Sequence, residues 1–363
     1  MERKQRYQHG GSPQKDLVRL NLPDAPVLDF SVNLNPFGVP QIIRDRWAEL
    51  LDAVENYPSV EGDGIAQYYH ETCRMPLANI LAGNGSTEMI YLVPRALGFK
   101  HVLIFTPSYH DYERASLLAG ATVERFRLSR ENHFSAIDET ELVDALQNAD
   151  ALWIGRPNNP TGSLLPRDDI LLLADRFPDK WFIIDEAFIQ FLEDWETESL
   201  GFSQTRPNIL VIHSLTKFYA IAGLRMGGVV GSEAVISRLR DAKEPWSVNG
   251  IADRIALFLP ACTDYEHESR LAVAKERERI FNLLQGLDGI VAFPSSTNFL
   301  LCQWIRSRNL DDLIQYLLKN GAYVRDCRNF PGLNDNFFRI GLRSAHENDR
   351  LFSLLASFPR QTA

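Results

Sequence analysis

The chain has 363 residues, 45% of them hydrophobic and 23% charged, with a net charge of −9; it is long enough to bury a large core and is expected to form two subdomains. The acidic balance excludes non-specific nucleic-acid binding, which needs a basic field, while leaving room for a few arginines that hold a small anion in a cleft. The N-terminal stretch MERKQRYQHGGSPQKD lacks the apolar core of a signal peptide, no run approaches the length of a membrane span, and Cys73, Cys262, Cys302 and Cys327 lack metal-ligand spacing, so a cytoplasmic protein with free, mostly buried thiols and no metal is expected.

From the N-terminus, residues up to about 50, including DFSVNLNPFGVP, are expected to pack with the C-terminal part. The middle alternates two kinds of segment. HVLIF (101–105), ALWIG (151–155), WFIID (181–185), NILVIH (208–213) and MGGVVG (226–231) read as buried strands. STEMIYLVPRAL, DYERASLLAG, RDDILLLADRF and SEAVISRLRDA read as helices between them. That alternation predicts an α/β fold with a mostly parallel sheet covered on both faces. Beyond it, a long charged helix from Tyr265 to Gln285 leads into VAFPSSTNFLLCQWI, a helix near LDDLIQYLLKNG, then AYVRDC and FFRIGLRS, an α+β pattern. The expected division is an N-terminal segment (1–50), a large domain (51–255) and a smaller C-terminal domain (256–363).

In a parallel sheet, ligands bind beyond the carboxyl ends of the strands, and the polar motifs follow the apolar runs. Ser214 to Arg225, SLTKFYAIAGLR, offers an amine, a hydroxyl and a guanidinium at fixed spacing. Lys217 can form a Schiff base with an aldehyde cofactor. Ser214 and Arg225 can hold a phosphate on it, by hydrogen bond and charged fork. Gly223, with the small Ala220 and Ala222, is expected to let the backbone approach closely. An aldehyde and a phosphate on one cofactor suggest pyridoxal 5'-phosphate (PLP).

Asp185, ending WFIID, can pair with a protonated pyridine nitrogen, or cap a helix or turn. Gly85, Ser86 and Thr87 in GNGSTE precede an apolar helix, whose free N–H groups make an anion site; Ser86 or Thr87 can also simply cap it. Tyr109 in TPSY can stack on a cofactor ring, with one of Tyr109 and Tyr112 belonging to the core. Asn159 in NNPTG can hydrogen-bond a phenolic ring oxygen. Tyr57 in ENYPS can reach a cofactor phosphate, in a neighbouring subunit.

In order, GNGSTE, TPSY, NNPTG, DEAF and SLTKFYAIAGLR make the chain resemble, over nearly its whole length, PLP enzymes of the aspartate-aminotransferase fold, the class I/II aminotransferase-like family and fold type I. The resemblance implies a homodimer with the active site at the subunit interface. It assigns Lys217 as the Schiff-base lysine, Asp185 as the pyridine partner, and Ser214 and Arg225 as phosphate contacts. Within the family, four features are similar to the branch that decarboxylates L-threonine O-3-phosphate to make the aminopropanol phosphate linker of cobalamin. Phe188 stands in DEAF where aminotransferase relatives usually carry tyrosine. The others are His9-Gly10-Gly11, PWSVNG (245–250) and NFPGLNDNFFRIGLRS (329–344). The same comparison implies a substrate pocket of His9, Gly10, Asn33, Asn159, Arg325 and Arg339, with Arg343 structural. Arg156, before PNNP, departs from the small or apolar residue of the family and is expected to add a cation near the cofactor. Histidinol-phosphate aminotransferase is the alternative activity, and a non-catalytic binding module is disfavoured by Lys217 and Asp185 together.

Overall fold

The computed structural model describes residues 9–203, 206–306, 310–333 and 336–359. Its strands are β1 (Leu28–Asp29), β2 (Ile80–Asn84), β3 (His101–Thr106), β4 (Thr122–Arg127), β5 (Ala151–Gly155), β6 (Trp181–Asp185), β7 (Ile209–Ser214), β8 (Met226–Val230), β9 (Ile290–Ala292), β10 (Phe299–Trp304), β11 (Ala322–Tyr323), β12 (Arg325–Asp326) and β13 (Phe337–Gly341). The helices that matter to the site are α1 (Ser86–Leu97), α2 (Asp111–Leu118), α3 (Arg167–Arg176), α4 (Glu233–Ala242), α5 (Thr263–Gln285) and α6 (Leu310–Lys319).

A seven-stranded sheet has the order β2-β8-β7-β6-β5-β3-β4. β8 runs antiparallel to both neighbours and the remaining pairs are parallel, so the mostly parallel expectation holds. Helical cover on both faces is why β5 to β8 read as near-continuous apolar runs; every residue of those strands is buried except Trp181. Two strands escape a reading by apolar runs. β2, ILAGN, is short and contains a glycine; β4, TVERFR, lies at the sheet edge and buries only Phe126.

A second sheet, order β12-β13-β10-β9, is antiparallel and packs with α5 and α6. The N-terminal residues join this side, as expected. β1 pairs in parallel with β11, Leu28 opposite Ala322 and Asp29 opposite Tyr323, and the Tyr323 hydroxyl donates to Asp16. Cys73, Cys262, Cys302 and Cys327 are free and buried. Among the described residues no helix is long and apolar enough to cross a membrane.

Candidate active site

One cavity lies beyond the carboxyl ends of β3, β5, β6 and β7, where the sheet meets the second sheet. His9, Gly10, Asn33, Ser86, Thr87, Tyr109, Asn159, Asp185, Ser214, Lys217, Arg225, Arg325 and Arg339 all line it. Residues more than 300 positions apart in sequence thus converge on the place that the strand topology favours for a ligand.

At one end, four groups form a cradle for an anion. Ser86 and Thr87 open α1, whose first backbone N–H groups have no helical partner. The N-cap is Gly85, and no side chain caps the helix, so neither Ser86 nor Thr87 is spent as a cap. Arg225 Nη2 lies 3.4 Å from Thr87 Oγ1, and the Ser214 hydroxyl is 2.8 Å from that of Thr216. Gly85 has φ +76, and a Cβ there would fall 2.7 Å from Arg225 Nη2. The close backbone approach expected at Gly223 is not found; a Cβ on Gly223 meets nothing within 4 Å. It occurs at Gly227, where a Cβ would lie 2.6 Å from the His213 carbonyl and 2.7 Å from the Ser86 nitrogen, because β8 runs directly beneath the cradle.

In the middle, Asp185 ends β6 with its carboxylate held on both sides. The Ala187 N–H donates to Oδ1 (3.0 Å) and the Tyr112 hydroxyl to Oδ2 (2.7 Å). Burial pushes its acidity down, so its pKa is raised, while Tyr112, Ala187 and Lys217 oppose that shift. Tyr112 is the more buried of the pair, stacked on Trp153 with centroids 4.9 Å apart and planes within 5°, and both it and Tyr109 line the cavity. The contact from Tyr112 to Asp185 was not read from sequence, although Tyr112 sits one helical turn after Tyr109. Lys217 is half-buried. Loss of hydration lowers its pKa to about 8, reinforced by the charges of Arg225 and Arg339 and opposed by Asp185. A buried amine with a substantial neutral fraction near physiological pH is a nucleophile for a carbonyl carbon.

At the far end, Arg325 and Arg339 stand directly opposite each other on β12 and β13. Both are buried, at 6% and 5% exposure. Like charges facing across an antiparallel pair repel. Burial lowers the Arg339 pKa to about 10, and the Arg325 charge adds to that fall. Arg339 donates to Asn159 Oδ1 and, at 2.9 Å, to the Ser31 carbonyl, yet its Nε has no partner among the described residues, and nor has Asn33 Oδ1. Arg325 donates to the Asp326 carbonyl and to Asn329 Oδ1 (2.8 Å). His9 is half-exposed at the mouth, its ring edge-on to His110 at 4.6 Å.

Of the expected site residues, Gly85 and Tyr57 are not among those lining the cavity, and two other arginines singled out in the sequence also lie outside it. Tyr57 is 87% exposed and outside its own chain's cavity, 5.6 Å from the Trp246 ring of PWSVNG. Arg343 donates to the Asp29 carbonyl and to Glu347, as a structural residue would. Arg156 corrects an expectation. It is fully buried and does not line the cavity; its guanidinium donates to the Leu165 carbonyl (2.8 Å) and to the Glu198 carbonyl (2.9 Å) and carboxylate, 3.8 Å from Glu186. It turns behind the sheet because those acceptors are there. In NFPGLNDNFFRIGLRS, Asn334 and Asp335 lie outside the described residues.

The cavity fits PLP. An anion cradle, a buried amine, an aromatic wall and a carboxylate with two donors already in place stand in the order that a phosphate, an aldehyde and a pyridine nitrogen require. Comparison with known proteins agrees. The chain is 34% identical to threonine-phosphate decarboxylase of Salmonella typhimurium, covering 96% of this chain and 95% of that one. It is 30% identical to the adenosylcobalamin biosynthesis bifunctional protein CobDQ of Leptospira interrogans, over 96% of this chain and 41% of that one. Its fold matches the crystal structure of the histidinol-phosphate aminotransferase from Clostridium acetobutylicum with a TM-score of 0.84 and 30% identity, covering 91% and 98% of the two chains. Residues 25–358 match the description "Aminotransferase class I and II", and with the cradle, amine and carboxylate in their places the chain belongs to that family, in its PLP-dependent fold type I.

Proposed function

We propose that this chain is a PLP-dependent carboxy-lyase that converts L-threonine O-3-phosphate to (R)-1-aminopropan-2-ol O-phosphate in cobalamin biosynthesis, with O-phosphoserine, one methyl shorter, as a further substrate. The observation that carries the reading is the buried Arg325–Arg339 pair. Two like charges face each other across a strand pair at the cavity wall, an arrangement that an anion relieves. A phosphorylated amino acid brings two anionic ends to it. The 34% identity to a threonine-phosphate decarboxylase over nearly the whole chain supports the substrate, and the match to CobDQ supports the pathway.

When bound, PLP supplies a ring that accepts the electron pair left at the substrate's α-carbon as the carboxylate departs as carbon dioxide. The chain's residues do the rest in this reading. Ser86, Thr87, Ser214 and Arg225 hold the cofactor phosphate, Lys217 its aldehyde carbon, and Tyr109 one ring face. Asp185 keeps the pyridine nitrogen protonated. Asn159 faces the ring oxygen. Arg325, Arg339, Asn33, Gly10 and His9 would hold the anionic ends of the substrate and so decide which bond at its α-carbon breaks. Lys217 Nζ returns a proton to the carbon that lost the carboxylate. Phe188 packs edge-on to Phe299 at 5.1 Å and brings no hydroxyl.

Further parts of the proposal are a homodimer and a cytoplasmic setting. Trp47, Leu51, Val54, Tyr57 and Trp246 are exposed apolar side chains, with Tyr57 against Trp246, and a second copy covering Tyr57 would bring it to the neighbouring cofactor phosphate. Four free buried thiols suit a reducing compartment. The division at residues 50 and 255 is supported by the seven-stranded sheet lying within residues 80–230 and the four-stranded sheet within 290–341. The match to a histidinol-phosphate aminotransferase favours transamination as the second reading. Incubation with O-phosphothreonine decides between them. Carbon dioxide released without an oxo-acid acceptor supports the lyase; a strict need for 2-oxoglutarate, with the carboxylate retained, replaces it with the aminotransferase.

A further inference from the structure

The residues that bring His9 to the cavity are held by the side chain of Ser31, which lines the same cavity. The Gly11 N–H donates to Ser31 Oγ at 2.7 Å. That hydroxyl in turn donates to Asp29 Oδ1 at 2.6 Å, and the Ser31 N–H reaches the same oxygen at 2.8 Å. A serine hydroxyl has one proton to give, and here it is committed to Asp29. Ser31 is buried. Asp29 is anchored through the β1–β11 pairing and through its carbonyl, which accepts from Arg343. The fit above Ser31 is tight. A Cβ on Gly10 would lie 2.7 Å from the Ser31 carbonyl oxygen and 2.9 Å from Oγ, and Gly11 has φ +80, so the backbone can lie this close only with glycines here. One residue further, the His9 ring rests against His110 at the start of α2, with Nε2 3.8 Å from Asp111 Oδ2. The strap is therefore fixed on the side of the second sheet and lays its imidazole on the side of the seven-stranded sheet, across the cavity mouth.

We propose that Asp29 and Ser31 are positioning residues that latch the Gly10–Gly11 backbone and so present His9 to the anionic substrate; this rests on the substrate reading above. Ser31 acts through its side chain on His9 and through its carbonyl, at 2.9 Å, on Arg339. Removal of the hydroxyl alone separates the two, because Ser31→Ala keeps the carbonyl.

The test is a cycle of Ser31→Ala, His9→Ala and the double variant in the holoenzyme, read by KM for O-phospho-L-threonine and by amide hydrogen exchange. Loss of one hydrogen bond and an unpartnered Gly11 N–H should raise KM about tenfold in Ser31→Ala, with kcat falling much less. In the His9→Ala background the same change should have little further effect on KM. Exchange should accelerate about tenfold or more at residues 9–11 and stay as in the wild type at β7, with the cofactor's absorbance spectrum unaltered. Asp29→Ala, which frees the Ser31 hydroxyl from its acceptor while leaving Ser31 and the strap glycines in place, should raise KM in the same way and serves if Ser31→Ala fails to fold. Equal KM effects in both backgrounds, unchanged exchange at residues 9–11, or faster exchange with unchanged KM would each overturn the latch. A wild type that neither binds nor turns over O-phosphothreonine overturns the substrate reading instead, and the exchange data still decide whether Ser31 holds the strap.

Discussion

Replacing Lys217 with methionine should stabilise the cofactor-free protein while abolishing turnover, and the gain should depend on pH in a defined way. The amine is buried, and its pKa falls from the ordinary 10.5 to about 8. At about 1.4 kcal/mol per pH unit, that fall means the folded chain carries a deficit of about 3 kcal/mol when Lys217 is charged. Below pH 8 the amine is protonated in both folded and unfolded states, and the deficit is full. Between pH 8 and 10.5 the unfolded state binds one proton more than the folded state, so wild-type stability climbs with pH; above 10.5 the deficit is gone. Methionine has similar length and no charge. The assay is urea unfolding of both cofactor-free proteins from pH 6 to pH 10, where the remaining titrating groups cancel in the difference. The variant should lead by about 3 kcal/mol at pH 7, a net figure that already includes the opposing pull of Asp185, and the lead should shrink above pH 8. A gap that is flat in pH, or a wild type more stable at pH 7, would refute an uncompensated buried amine.

Lys217→Ala should also leave no cofactor fixed to the chain after borohydride reduction; peptide mapping that finds the adduct on another lysine sinks the assignment. Asp185→Asn should cut turnover about 100-fold or more with cofactor retained, since it removes the charge opposite the pyridine nitrogen; near-normal turnover counts against that role. Arg339→Ala and Arg325→Ala should each cost about 2–5 kcal/mol in engagement of O-phosphothreonine, measured as kcat/KM, while PLP binding survives; unphosphorylated threonine reacting as well as its phosphate contradicts the anion pocket. Arg156→Met should lower stability by about 3–5 kcal/mol by stranding Glu186 and Glu198, and wherever the variant folds, its KM for the phosphorylated substrate should stay near the wild-type value.

Much of the fold was legible because buried parallel strands leave near-continuous apolar runs, and helices with one buried face leave a 3.6-residue period. The segments that read most clearly, ALWIG, WFIID and STEMIYLVPRAL, are elements with the same bounds in the structure. β4 was not legible because an edge strand with one buried side chain carries little hydrophobic signal. The cavity-lining residues around Asp185 and Lys217 were legible because they sit in short motifs just after strands. The orientation of a long side chain was not. Arg156 lies one residue beyond β5, at a position whose neighbours face the cavity, and only the acceptors at Leu165, Glu186 and Glu198 decide that it turns away. Gly11–Ser31 and Tyr112–Asp185 were equally hidden, since each joins residues far apart in sequence that meet only in three dimensions.

Arg156 and Arg339 also show what separates a structural cation from a functional one here. Both are buried and both sit close to the family motifs, so burial and position do not distinguish them. Compensation does. Arg156 is surrounded by two carbonyls and two carboxylates, a nearly closed set of partners. Arg339 has an unpartnered Nε and a second arginine opposite it. Lys217 is half-buried, with Arg225 and Arg339 acting on it and Asp185 opposing them. Among the described residues lining the cavity, three arginines and a lysine therefore stand against the one carboxylate of Asp185, in a protein whose net charge is −9. A cofactor phosphate at one end and a substrate phosphate and carboxylate at the other supply the missing negative charge. Ligands that bind only the folded state stabilise it in proportion to their occupancy, so the groups that weaken the empty protein are the ones through which cofactor and substrate should each raise its melting temperature.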